Sequence, residues 1–360
     1  MFLKIHQKYI INTFLSLILK TFLVFLSLVI IMGVFEELSF FSRLDVKFYI
    51  PILLVLMNSF SILYILFPFI FLIGAQFFFI KILDTNELIA FKNYGLSNNK
   101  ILSIIALTSF FAGIVIIGIF YNISATLKFK YLDIKNEYTD DNKYLASITE
   151  NGLWIKDNTD FHVNFINAEK LSVNKLHNVD ILIFNKNFEL NRIIFTTVAD
   201  ITNKKWLINE AIIIDKNGVK QIMNDYSFIS NFNYNKIFNL YSDLSALNIY
   251  ELVKLKKVYK EINYSVTEID MHLKRVISYP FFLTVMTILS SIIMLNIKHQ
   301  KPKIFYAVGG VLISVLIYYI NFFFGALGKN EQIPIILSIW LPISVLSIIS
   351  LIGITRLNEK

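Results

Sequence analysis

The sequence predicts an α-helical membrane protein with six transmembrane helices (3+3) and a β-jellyroll-like domain inserted between helices three and four. Three observations carry that expectation. Three long apolar runs lie on each side of a polar stretch from about Tyr121 to about Arg275, and none lies inside it. The 360 residues are 56% hydrophobic, with mean hydropathy +0.60; soluble domains are about 45–50% apolar, so the excess belongs in a bilayer. The polar stretch is a series of short Ile-, Val- and Phe-rich runs broken by Asn, Asp and Lys, which is the pattern of strands and turns.

In order, Phe2–Lys20 mixes Lys4, His6 and Lys8 with Ile10, Phe14, Leu15, Leu17 and Leu19. It reads as an amphipathic interfacial helix running into the first span, which Thr21–Phe35 completes. No small-residue cleavage site interrupts it, so it is not expected to be a cleaved signal. After the connector Glu36–Lys47, the run Phe48–Ile80 would measure roughly 50 Å as a straight helix. A hydrocarbon core is about 30 Å thick, so this helix must tilt, bend at Pro51 or Pro68, or project beyond the bilayer. Ile101–Phe120 forms the third span. Val276–Leu295, Ile304–Ala326 and Ile333–Ile354 form the last three. The domain boundaries expected are 1–120, 121–247 for the β domain, 248–275 for a linker helix, and 276–360.

Basic residues set the orientation. Lys4, Lys8, Lys81, Lys92, Lys100, Lys298, Lys301, Lys303, Arg356 and Lys360 fall on one side and outnumber Arg43, Lys47 and Lys329 on the other. The positive-inside rule places the first group and both termini in the cytoplasm. The insert is then extracytoplasmic, and periplasmic in a Gram-negative cell. The net charge of +8 is spread over loops rather than along a stripe, which is a topology signal and not a nucleic-acid footprint.

Within the insert, Gly152–Lys156, Phe161–Ile166, Val179–Phe184, Arg192–Ala199, Trp206–Asp215 and Val219–Met223 are the expected strands. Asn217-Gly218 reads as a type I′ hairpin turn, because both residues tolerate positive φ. Short strands at this spacing suggest an open sandwich or jellyroll. Asn248 and Glu251 form a capping-box pattern, followed by Leu252, Leu255, Val258 and Ile262 at helical spacing.

The most informative polar segment is Asp84–Ser97. Asp84 or Thr85 can cap a short helix with Glu87 in its first turn. Leu88, Ala90 and Phe91 supply apolar surface, and Gly95 suits a left-handed end. Such a helix fits a groove on an ATPase; an ordinary interfacial loop would look the same in sequence. Lys254, Lys256, Lys257 and Lys260 read as a solvated helix face in preference to a sugar-phosphate site. The scattered histidines show no ligand spacing, and there is no cysteine for a disulfide, thiolate metal site or nucleophile. No P-loop, H-E-x-x-H or G-x-S-x-G is present. Ionisable residues are nearly absent from spans two to six, against an ion-coupled relay. The energy for any transport is expected from another chain, and the Phe-rich spans suit acyl chains.

These residues resemble the LptF/LptG permease family of lipopolysaccharide export over essentially the whole chain, leaning to the LptG type. Leu66-Phe67-Pro68, Gly74 and Asn86-Glu87-Leu88 are similar to the family's run into its cytoplasmic coupling helix, which Gly95 and Ser97 match at its end. Gly152-Leu153-Trp154-Ile155-Lys156-Asp157 is similar to the LptG GLW-x-KD strand. Lys205-Trp206, Tyr319, Phe324-Gly325 and Ile333-Pro334 follow in the family's order. The resemblance implies a chain that is not an enzyme and binds no cofactor, pairs with an LptF-type permease, and binds an LptB-type ATPase dimer carrying the ATP and Mg. LptC and LptA would continue the bridge for lipopolysaccharide. It implies ATPase coupling through Asp84, Glu87, Leu88, Phe91 and Gly95, and a substrate path including Glu36, Arg43, Lys47, Tyr319 and Phe324. The chain departs from the pattern at Phe35–Phe41, acidic and apolar where LptG proteins often carry lysines, and at Phe91, Lys92 and Asn93. An LptF-type subunit, a non-transport membrane scaffold and a mechanical ABC subunit are the alternatives.

Overall fold

Each apolar run forms a helix in the computed structural model, which describes residues 4–42, 46–138, 153–158, 162–172, 174–186, 188–234, 237, 243–261, 265–296 and 303–358. The helices are α1 (Ile5–Phe41), α2 (Tyr49–Asp84), α3 (Glu87–Asn93), α4 (Asn98–Val115), α5 (Asn122–Glu137), α6 (Ile249–Glu261), α7 (Thr267–Leu295), α8 (Lys303–Lys329) and α9 (Ile335–Asn358). A π-helical turn, Ile116–Tyr121, joins α4 to α5. Six stretches are long and apolar enough to cross a membrane: Ile5–Phe41, Tyr49–Asp84, Asn98–Lys135, Thr267–Leu295, Phe305–Lys329 and Ile335–Arg356. The protein is a multi-pass membrane protein with a six-stranded antiparallel sheet between its third and fourth apolar helices.

Two compact units result. The first comprises Met1–Leu127 and Thr267–Lys360, the second Lys128–Val266. At the centre of the first unit stand α2 and α7, each with 61% of its most apolar window buried, whereas the corresponding value for α8 is 17%. Ile10, Phe14, Phe71, Phe78, Ile101 and Leu283 form the core. The segment expected to lie along the interface is the first half of α1, without a break at Lys20. Ile10 and Phe14 are 0% exposed, so packing against α2 sets its course.

Burial of apolar area drives little inside a bilayer, so close approach and interhelical hydrogen bonds hold such bundles. Gly113 of α4 lets the Pro280 backbone of α7 approach: a Cβ there would lie 2.8 Å from the Pro280 Cα. Ser109 and Thr287 share a 2.9 Å hydrogen bond between α4 and α7. Ser290 donates to the Leu72 carbonyl at 2.7 Å. Gln76, 1% exposed in α2, donates to the Ala307 carbonyl of α8 at 3.3 Å. Its amide fills the space above Gly310, where an added Cβ would lie 1.7 Å from Nε2.

In the second unit, β1 (Leu153–Asn158), β2 (Val163–Ser172), β3 (Lys175–Phe184), β4 (Leu190–Asp200), β5 (Lys205–Asp215) and β6 (Lys220–Ile229) pair antiparallel in chain order. Among the described residues this is a meander, without the crossover connections of a jellyroll. The alternation expected of half-buried strands places Leu153, Ile155 and Asp157 inside, while Trp154 is exposed. The sheet's first strand and the chain leaving its last are tied together. The Asp157 carboxylate, 0% exposed, accepts from Ser230 Oγ at 2.8 Å, the Asn231 amide at 3.1 Å and Asn231 Nδ2 at 3.0 Å. Beyond them Phe232 joins the core, and its carbonyl accepts from Trp206 Nε1 at 2.8 Å.

Two local expectations change. The Asn217-Gly218 hairpin exists, but only Gly218 has positive φ (+76°), so the turn is not type I′. Gly218 N–H donates to the Asp215 carbonyl at 2.8 Å, giving a type I turn followed by a left-handed glycine. The region read as one linker helix over 248–275 holds α6 and the start of α7. The capping box at the start of α6 is reciprocal: Asn248 N–H donates to Glu251 Oε2 and Glu251 N–H to Asn248 Oδ1, both at 2.9 Å.

Candidate functional site

The Asp84–Ser97 segment folds as a two-turn helix, α3, held at both ends by left-handed residues. Asn86 has φ 57° and Gly95 φ +76°. Neither Asp84 nor Thr85 is the N-cap, which is Asn86 without a side-chain cap. Asp84 is the exposed last residue of α2, and Thr85 Oγ1 donates back to the Lys81 carbonyl at 2.9 Å. At the other end, Leu96 N–H donates to the Phe91 carbonyl at 3.0 Å and Gly95 N–H to the Lys92 carbonyl at 2.9 Å. That pair of bonds is a Schellman motif, with Gly95 supplying the conformation that a side chain resists. Ser97 then opens α4, its Oγ accepting from Lys100 N–H at 3.4 Å.

The helix is two-faced. Leu88 is 8% exposed and joins the core of the first unit, while Ile89 at 58% and Tyr94 at 88% face outward. Glu87 sits in the first turn, where the helix dipole favours a carboxylate. Its Oε1 accepts from Tyr9 OH of α1 at 2.9 Å, and the Tyr9 ring meets Phe91 edge-on at 6.3 Å. Glu87, Leu88, Phe91 and Gly95 therefore belong to one element, steadied by a tyrosine 78 positions earlier. Nothing in the spacing of Tyr9 marks that contact in the sequence.

The second expected set is less concentrated. Glu36 is exposed, whereas its neighbour Glu37 is 2% exposed. Lys47 is exposed just before α2, and Arg43 lies outside the described residues. Tyr319 is 65% exposed on α8; Phe324 is half-buried with its ring edge-on to Phe323 at 5.9 Å. α8 packs against α2, α7 and α9.

A groove of about 490 Å³ lies against Phe110, Phe281, Val285, Trp340 and Ile343. The hydroxyls of Thr284, Ser344 and Ser347 beside it donate to carbonyls of their own helices at 2.7–2.8 Å, so the groove is apolar in effect. Among the described residues no group of three or more His, Asp or Glu side chains is placed to hold a metal ion.

A bundle with six helices long and apolar enough to cross a membrane, and an antiparallel sheet inserted between the third and the fourth, is consistent with a membrane permease subunit. Residues 8–356 match the lipopolysaccharide export system permease LptF/LptG family. The chain belongs to that family, and is a transport component of lipopolysaccharide export. No curated protein matches the chain.

Proposed function

We propose that this chain is the LptG-type permease of an ATP-driven lipopolysaccharide exporter, with α3 as the element that receives the ATPase stroke. The observation that carries the reading is the form of α3. It is a short helix fixed by left-handed residues at both ends, anchored inward by Leu88 and displaying Ile89 and Tyr94 outward. An outward apolar patch on such a support suits a hydrophobic groove on a soluble partner. The partner is an LptB-type ATPase dimer, which supplies ATP and Mg; an LptF-type chain completes the permease. Both termini and α3 are cytoplasmic and the sheet is periplasmic, as the distribution of basic residues supports. LptC and LptA take lipopolysaccharide onward from the sheet. Conformational gating is the work of this chain, with its chemistry on the partner. The GLW-x-KD strand supports the LptG type over the LptF type.

Glu87, with Asp84, Leu88, Phe91 and Gly95, forms the coupling set; Glu36, Arg43, Lys47, Tyr319 and Phe324 line the substrate path. The test is co-expression with candidate LptF- and LptB-type chains, affinity purification through this chain, and ATPase and lipopolysaccharide-release assays in nanodiscs. Glu87→Ala is expected to lower lipopolysaccharide-stimulated ATPase and release together while the sheet unit stays folded. Unchanged lipopolysaccharide-stimulated ATPase and unchanged release in that variant remove α3 from coupling. Failure of both partners to co-purify removes the exporter reading.

A further inference from the structure

α3 meets α2 at a corner of two residues, Thr85 and Asn86, and Asn86 makes the bend with φ 57°. A link that short fixes how far apart two helices stand, but by itself leaves the angle between them open.

The angle is set from a third helix. Tyr9 lies in the second turn of α1, and its hydroxyl donates to Glu87 Oε1 at 2.9 Å. Its ring meets Phe91 edge-on at 6.3 Å. Glu87 and Phe91 stand at i and i+4, which puts both on one face of α3. The second carboxylate oxygen, Glu87 Oε2, is enclosed and has no hydrogen-bond partner among the described residues. The Tyr9 hydroxyl therefore decides where the Glu87 side chain points, through a bond strengthened by the acceptor's charge.

α1 is built to bear a load. It runs unbroken from Ile5 to Phe41 without a proline, roughly 55 Å at helical rise. Just beyond Tyr9, the Phe14 ring lies edge-on to Phe71 and Phe78 of α2, at 6.5 and 5.8 Å. One turn later α1 comes close to Gly74 of α2, where an added Cβ would lie 3.2 Å from the Ile18 Cα. The three helices thus form a triangle. Packing joins α1 to α2, the chain joins α2 to α3, and Tyr9 joins α3 back to α1. A triangle keeps its angles when one side is pushed, and an open corner does not.

We propose that Tyr9 is a positioning residue that braces the α2–α3 corner from α1, so that a displacement of α3 carries the first span with it. The brace rests on the contacts above; its part in export rests on the function proposed for the chain. Without the brace, α3 pivots at Asn86 and the corner takes up the motion. Ile89 and Tyr94 face outward, so they remain available to a partner whether or not the brace is made.

The first measurement uses the full chain alone in nanodiscs. It has no cysteine, so Asn12→Cys and Asn93→Cys, both at exposed positions, place one spin label on α1 and one on α3. The brace predicts a narrow distance distribution that Tyr9→Phe broadens or splits. That variant keeps the ring against Phe91 and removes the hydroxyl. Glu87→Gln keeps an acceptor for the hydroxyl and is expected to retain the narrow distribution. An unchanged distribution in Tyr9→Phe overturns the brace.

The second measurement uses the chain assembled with LptF- and LptB-type partners. Tyr9→Phe is expected to leave the KM for ATP in place and to lower lipopolysaccharide release per ATP hydrolysed several-fold. The loss stays below about tenfold because Tyr9 is 41% exposed, which weakens the bond relative to an enclosed one. In a Glu87→Ala background the same substitution is expected to change nothing further. Equal losses in both backgrounds, or an unchanged release per ATP, overturn the transmission to α1. Broadening by Tyr9→Phe in a chain that recruits no ATPase leaves the brace standing and removes the exporter reading.

Discussion

Replacing Asp157 with alanine removes the acceptor of three hydrogen bonds linking the first strand of the sheet to the chain leaving the last. The donors left behind are Ser230 Oγ, Asn231 N–H and Asn231 Nδ2. Hydrogen bonds to a charged group contribute about 1.5–3 kcal/mol each, but the three do not add. Asn231 is exposed and can turn to water, whereas Ser230 is 1% exposed and cannot. A net cost of about 3 kcal/mol follows for the sheet unit, or roughly 10 °C in its melting point for a unit of this size. Trp206 is 0% exposed and bonded to the Phe232 carbonyl, so its fluorescence reports the neighbouring turn once Trp154 and Trp340 are replaced by phenylalanine. Urea titration of the full chain in detergent should show the Asp157→Ala transition at clearly lower denaturant, with the helical signal of the spans retained. Asp157→Asn keeps one acceptor and should fall between. A midpoint unchanged within about 0.5 kcal/mol would refute the reasoning, because the carboxylate would then be contributing nothing that water could not.

Two further outcomes are expected. Gly310→Ala forces the Gln76 amide from its place, since Cβ and Nε2 would be 1.7 Å apart, at a cost of about 1 kcal/mol for the lost interhelical bond. In a Gln76→Ala background the same change should cost little, so the double-mutant cycle measured by thermal aggregation gives a clear coupling. In the sheet unit, the Thr202 hydroxyl and amide donate to Asp200 Oδ1 at 2.6 and 2.9 Å and hold its carboxyl below the usual value. That stabilisation is present above about pH 4 and lost as pH falls through the depressed value. Thr202→Val should therefore weaken the unit by roughly half a kcal/mol at neutral pH, and the difference should disappear once the pH has fallen below the depressed value, in acid titrations of Trp206 fluorescence.

The six long apolar helices and six strands were legible because bilayer thickness and strand alternation write themselves into run lengths and periods. Ends were less so. The third apolar run passes beyond Phe120 through a π turn into the polar helix α5, since hydrogen bonding can continue a helix after its hydropathy has changed. The Asn217-Gly218 pair announced a turn but not its type, because a glycine alone satisfies the one left-handed position needed. In the candidate site, Glu87, Leu88 and Gly95 could be read from capping, amphipathicity and the glycine stop. Tyr9 and the Asp157 bonds could not: each depends on contacts between positions far apart in the chain. Asp157 entered as part of a family-like motif, and its buried bonds supply a structural reason for an acid there.

α3 is joined to α2 by two residues and to α4 by four. With its ends set by Asn86 and Gly95, it has no slack in which to stretch or fray. A load applied to its outward face is delivered as torque to the second and third spans together, over a lever of roughly 10 Å. Stiffness of that kind makes the response all-or-none: the two spans turn with the helix, or the Leu88 anchor pulls out and nothing is transmitted.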